Sequence, residues 1–204
     1  MNSSPPIDIM MIGHFARDIL VIDDKAENAP GGAVYYGGVA LRCIGINTAV
    51  VTRLHPDDFP LLDGLKRVGV QVFAVPAPET SGIKNIYNSA DMERRFCTSL
   101  GFAGPFQAAD IPDIEARIYA VVPIIAGEVG LPLLKSLASR GPVALDVQGF
   151  VRVRENGQLV FKKWVEIEAG LACVTYLKVD RAEAELLTGK TDLRLAARQL
   201  AEYG

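Results

Sequence analysis

The chain has 204 residues, of which 50% are hydrophobic, 7% aromatic and 22% charged, enough for one sizeable globular core. A formal net charge of -3 argues against a nucleic-acid partner, which calls for a clustered basic face. The opening Met1-Asn2-Ser3-Ser4-Pro5-Pro6 carries no basic residue and the apolar run behind it is short, so neither a signal sequence nor a membrane span is read and a cytoplasmic protein is expected. Cys43, Cys97 and Cys173 are odd in number, widely spaced and outside any metal-ligand pattern, which predicts buried thiols in a reducing compartment.

In chain order, Ile7 to Gly13 is a nearly continuous apolar run ending in glycine, the pattern of a strand buried on both faces. Gly31-Gly32-Ala33-Val34-Tyr35-Tyr36-Gly37-Gly38 follows as a glycine-rich turn opening a helix from Ala33 to Ile44, which Gly45 stops. Strands are then predicted at Thr48 to Thr52, Val70 to Val75, Ile118 to Ile125, Val143 to Val147 and Cys173 to Val179. Helices are predicted at Pro56 to Val68, Val129 to Arg140, Arg181 to Leu187 and Leu193 to Tyr203, the last followed by Gly204. This alternation predicts an α/β fold with a doubly wound, mainly parallel sheet.

Two segments break the alternation. Ser81 to Ser89 and Glu93 to Ser99, around a turn at Ala90-Asp91, read as an antiparallel pair forming a flap over a cleft, inserted at 81–99 in a single domain spanning 1–204. Val151 to Arg154 and Leu159 to Lys162 flank Asn156-Gly157, a tight-turn signal for a second hairpin.

Candidate ligand groups fall after strands, where open α/β sheets bind ligands. Asp18 reads either as a turn or cap residue or as a carboxylate accepting hydrogen bonds from two polyol hydroxyls; His14 reads as a structural hydrogen-bonding residue. The Gly31 segment has neither the dinucleotide spacing nor a Walker lysine, and tight helix packing is its competing explanation. Asp146 and Gln148 supply a carboxylate and an amide at a strand end. Arg152 and Arg154 share one face of the hairpin, as an anion site or a solvated edge. Asp180 and Glu183, one turn apart at a helix start, suit hydrated Mg²⁺ or simply favour the helix dipole.

Together these residues resemble the ribokinase/PfkB family of carbohydrate kinases: Gly13 with Asp18, the Gly31-Gly32 pair before a helix, the β flap, and Lys178-Val179-Asp180-Arg181-Ala182-Glu183 with Leu186-Leu187-Thr188-Gly189 stand in family order. The myo-inositol kinase branch is similar also through Asp146-Val147-Gln148-Gly149-Phe150-Val151-Arg152-Val153. The resemblance implies phosphoryl transfer from ATP to a sugar or polyol hydroxyl, with myo-inositol favoured. It implies acceptor contacts from Asp18, Gly31, Gly32 and Asn85. Tyr36 stands where ribokinases carry a ribose-binding Asn, which counts against ribose. Asp180 and Glu183 match the family's Asn-x-x-Glu signature for Mg²⁺ and phosphates, with Asp in place of Asn.

The family's late Gly-Ala-Gly-Asp motif, which supplies the catalytic base, does not occur in these residues. No catalytic residue is therefore assigned among them, and the base is expected beyond Gly204. The resemblance implies an N-terminal part of the fold, inactive alone, with an open sheet edge through which a homodimer is expected. The alternative reading is a non-catalytic polyol-binding or oligomerisation module; a nucleotide-binding oxidoreductase is disfavoured by the missing fingerprint.

Overall fold

The computed structural model describes residues 6–89 and 91–204, and the side chains of 88 and 91–95 lie outside that description. The turn expected at Ala90 and the start of the chain therefore fall outside the described residues. The strands in chain order are β1 (Ile7–Ile12), β2 (Ala16–Ile22), β3 (Lys25–Gly31), β4 (Thr48–Leu54), β5 (Gln71–Pro76) and β6 (Gly82–Asn88), then β7 (Asp91–Gly101), β8 (Ala116–Val121), β9 (Val143–Asp146), β10 (Arg152–Glu155), β11 (Gln158–Phe161) and β12 (Tyr176–Lys178). The helices are α1 (Ala33–Cys43), α2 (Asp63–Arg67), α3 (Leu131–Ala138), α4 (Gln148–Val151), α5 (Ile167–Leu171), α6 (Arg181–Thr188) and α7 (Leu193–Ala201).

Two six-stranded sheets organise the chain. The first has the order β12-β9-β8-β1-β4-β5 with every pair parallel, as the apolar runs predict. Alternate residues of its strands feed cores on its two faces. Met10, Ile12, Ala49 and Val51 join Leu133, Leu134 and Leu137 of α3 on one side. Met11 and Val50 join Val34 of α1 and Leu65 of α2 on the other. Strand order reverses between β1 and β8, which makes that boundary the switch point of the sheet.

The second sheet, β10-β11-β7-β6-β2-β3, is antiparallel except for β2 beside β6. It is broader than the expected flap, since β6 and β7 are joined by the β10–β11 hairpin and by a β2–β3 hairpin that the sequence reading lacks. All three entries into it leave carboxyl ends of the first sheet: β1 runs into β2, β5 into β6, and β9 through α4 into β10. Ala16, Ile83, Ile124 and Ile125 form the small core under it.

Several boundaries differ from expectation for local reasons. Pro56 to Val68 is a 3₁₀ helix (Pro56–Leu62) followed by short α2, because Pro60 removes a donor mid-helix. The strand expected to reach Ile125 ends at Val121, and the strand expected from Cys173 is confined to Tyr176–Lys178, since the Cys173 and Val174 amides close the turn after α5. The helix expected to reach Tyr203 ends at Ala201, where the Glu202 and Tyr203 amides turn back to the Gln199 and Leu200 carbonyls. That turn lays Gly204 against the Leu171 carbonyl at the end of α5, so closely that a Cβ would overlap it. The three thiols are unpaired, but Cys43 is exposed and the other two half-buried, contrary to the expected burial. Phe150 and Trp164 stack at 4.3 Å between ring centroids in the larger core.

Candidate functional site

Asp18 is in neither a turn nor a cap. It lies in the middle of β2, and the antiparallel β2–β3 pairing brings Ala16 opposite Gly31, so that distant residues of the sequence meet. One carboxylate oxygen, Oδ1, accepts the Ile83 amide at 2.8 Å. The other lies against Gly31 so closely that a Cβ there would overlap it. Gly32 caps α1 at φ +87°, a conformation side chains resist, and a Cβ on it would strike the His14 carbonyl oxygen. These two glycines serve close approach at the strand–helix junction. The second pair, Gly37 and Gly38, instead lets α1 sit on Met11, Val50 and Leu65, so the helix-packing explanation applies to that pair.

Tyr36 is exposed, and its hydroxyl donates to the Pro30 carbonyl at 2.5 Å. Desolvation and then the nearby Asp18 carboxylate raise its pKa. Asn85 lies on β6, is 7% exposed, and accepts the Cys97 thiol at 3.2 Å from β7. Period two along β6 puts it on the same face as Ile83, the face packed on the small core. The structure thus gathers Asp18, Gly31, Gly32 and Tyr36 at one junction, with Asn85 on the same face of the second sheet.

A second cluster stands at the carboxyl ends of β9 and β12. The Asp146 carboxylate accepts the Gln148 backbone N–H at 3.1 Å and meets Lys178 Nζ at 3.2 Å. Asp180 and Glu183 form a reciprocal capping box on α6: Asp180 Oδ1 accepts the Glu183 amide at 2.8 Å, and Glu183 Oε2 accepts the Asp180 amide at 2.7 Å. Glu183 is 2% exposed, and burial is the main cause raising its pKa, opposed by the Asp180 amide and by Lys178, whose Nζ is 3.9 Å from Oε2. Among the described residues no group of three or more His, Cys, Asp or Glu is placed to bind a metal directly. Two carboxylates each retaining one oxygen beyond the capping bonds nevertheless suit a cation that keeps its water. Gly204 belongs to neither cluster, since its neighbours are Leu171 and Ala172.

Arg152, expected on a shared hairpin face with Arg154, is buried, whereas Arg154 lies over the Phe102 ring at 5.1 Å. Sequence reasoning missed Glu128. Its carboxylate is fully buried and accepts three amides, from His14 at 2.9 Å and from Ile124 and Ile125 at 2.8 Å each. Burial pushes its pKa up to about 7 against those three bonds and the Arg152 charge. His14, also fully buried, sits between the Ser81 hydroxyl (Nδ1, 2.7 Å) and the Gly104 carbonyl (Nε2, 2.9 Å). A carbonyl only accepts, so Nε2 carries the proton and Nδ1 accepts from Ser81. Burial holds this imidazole neutral, its pKa at about 3. Nothing in the run Ala126-Gly127-Glu128-Val129-Gly130 marks the glutamate in advance.

A parallel α/β body with a β sheet rooted at the carboxyl ends of its strands is the ribokinase-like architecture. Solved structures agree. A pyrophosphate-dependent kinase in the ribokinase family, in a sulfate complex, is 36% identical with a TM-score of 0.90, covering 96% of this chain and 70% of that one. A pyrophosphate-dependent kinase of that family, complexed with a pyrophosphate analogue and myo-inositol, is 34% identical with a TM-score of 0.89, covering 96% and 69%. Arabidopsis thaliana ribokinase, complexed with ribose and ATP, shares the fold at 16% identity and a TM-score of 0.72, covering 98% and 70%. No protein-family profile matches the chain, and no curated protein sequence does. The chain belongs to the ribokinase family. No helix among the described residues is long and apolar enough to cross a membrane.

Proposed function

We propose that this chain forms the acceptor side and part of the donor side of a kinase that phosphorylates a hydroxyl of myo-inositol or a close polyol. The observation that carries the reading is the Asp18 carboxylate, fixed by the Ile83 amide and packed on the bare backbone of Gly31 at the root of the second sheet, in a chain about a third identical to pyrophosphate-dependent relatives. Asp18 accepts hydrogen bonds from adjacent acceptor hydroxyls, the backbone of Gly31 and Gly32 contacts them, and Asn85, on the same face of the second sheet, reaches the same ring. Tyr36 borders the same junction, and Asp146 and Gln148 complete the polar edge.

Phosphoryl transfer depends on positioning and on neutralising charge at the transferred group. Asp180 and Glu183 are the residues that would hold a hydrated Mg²⁺, which would supply neutralisation of phosphate charge. The likeness to pyrophosphate-dependent enzymes makes pyrophosphate the donor we propose, in place of the ATP expected from sequence. The residues up to Gly204 contain no Gly-Ala-Gly-Asp sequence, so the proton of the attacking hydroxyl is assigned to none of them, and we expect acceptor binding without turnover from these residues alone.

The test is a product assay with myo-inositol and either donor, on the chain extended in frame beyond Gly204 and on the 204 residues, with calorimetry for acceptor binding. Inositol monophosphate formed with pyrophosphate supports the reading. Turnover with ATP alone overturns the donor, absence of both binding and product overturns the acceptor, and turnover by the unextended chain overturns its expected inactivity.

A further inference from the structure

We infer that Glu128 and His14 are positioning residues for the acceptor floor, fixing the backbone on both sides of the Asp18 carboxylate without touching the acceptor. Both side chains are fully buried, and both lie at the switch point between β1 and β8. Glu128 clamps two chain segments, taking the His14 amide through Oε2 and the Ile124 and Ile125 amides through Oε1. His14 clamps two more, Ser81 before β6 and Gly104 after β7, and the Ser81 hydroxyl also accepts the Ala103 amide at 3.0 Å. Three of the passages between the sheets, β1 into β2, β5 into β6 and the exit from β7, are thereby tied to one pair of side chains.

The described contacts of Asp18 descend from these ties. Ile83, whose amide holds Oδ1, is two residues beyond Ser81. Gly31, against which Oδ2 rests, pairs with Ala16, two residues beyond His14. Gly32 packs directly on the His14 carbonyl oxygen, and the amide of that same residue is the one Glu128 holds. Loss of the Glu128 carboxylate therefore shifts Asp18 and the glycine turn together, although it lies outside their shell of contacts.

The inference rests on the polyol-kinase reading for its kinetic consequence but not for its structural one, and both are measured. In the active, frame-extended chain, Glu128→Gln keeps volume and a carbonyl for Ile124 and Ile125 while turning an amide group toward the His14 N–H. The acceptor KM is expected to rise about tenfold with donor KM unchanged, as one buried N–H loses its partner. Hydrogen exchange at the Ile83 amide is expected to accelerate by about the same factor. Ser81→Ala, which removes one His14 partner, moves both in the same direction by a smaller factor. Unchanged acceptor KM with unchanged Ile83 exchange overturns the inference, as does a loss of kcat alone, the mark of a smaller folded fraction. If Glu128→Gln shows no cooperative melting, Ser81→Ala decides. If the wild-type chain binds no polyol, the functional reading fails while Ile83 exchange still decides the positioning role.

Discussion

The two carboxylate clusters are held in opposite ways. Asp18 is fixed by a backbone amide and by bare glycine backbone, and behind it stand two side chains without solvent exposure. Asp146 and Glu183 share Lys178, a half-exposed cation on a flexible stem, and Asp180 is joined to Glu183 by the capping box. Buried, fully bonded polar groups commit a site to one geometry, whereas exposed ion pairs hold charge in place with little commitment of shape. The first arrangement suits reading the shape of a ring; the second suits a multiply charged group whose charge has to be met.

This contrast can be broken in order of expected effect. Gly32→Ala should act most strongly, because it combines a left-handed φ with overlap on the His14 carbonyl; a loss of about 3 kcal/mol is expected in chemical denaturation, and an unchanged midpoint would show that the turn relaxes freely. Asp18→Asn keeps the acceptor for Ile83 and removes the charge, so acceptor affinity should fall about tenfold or more by calorimetry with little change in melting temperature.

The buried pair gives opposing pH dependences. The folded pKa of His14 is about 3 against 6.5 unfolded, so its contribution is complete above pH 6.5 and is lost as pH falls from there toward 3. For Glu128 the folded value is about 7 against 4.5, so its contribution is complete below pH 4.5 and is lost as pH rises toward 7. His14→Gln should flatten the acid limb of the melting-temperature profile; an undiminished acid limb would mean that other groups cause it. In the second cluster, Glu183→Ala removes half of a capping box and should cost about 1 kcal/mol. Lys178→Ala, at 57% side-chain exposure, should cost less than about 1 kcal/mol, so any sizeable change in donor KM on that substitution would report charge rather than folding.

The parallel sheet was readable because its strands are buried on both faces and appear as apolar runs such as Ile7 to Ile12. The β2–β3 hairpin was not. Its turn, Asp23-Asp24, adopts positive φ at both residues without the Asn-Gly signature, and Lys25–Gly31 has weak strand propensity. That strand persists as a sheet edge, where Pro30 is tolerated because the missing donor faces outward. Missing the hairpin placed Asp18 in a loop, even though its partners Gly31 and Gly32 were named. Asp180 and Glu183 were readable because a capping box is a local pattern. Glu128 was not, since its two near partners, 3 and 4 residues away, form no familiar local pattern, and only the fold brings the third, His14, from 114 residues away. The contact of Gly204 with Leu171 was hidden for the same reason, because it joins two elements far apart in the sequence.

Trp164 is the chain's sole tryptophan, nearly buried against Phe150 of α4, the short helix joining β9 to β10. Intrinsic emission excited at the indole band thus comes from one place. It reports on the seam where the second sheet is rooted, and ligand-induced movement there can be followed in real time without an attached dye.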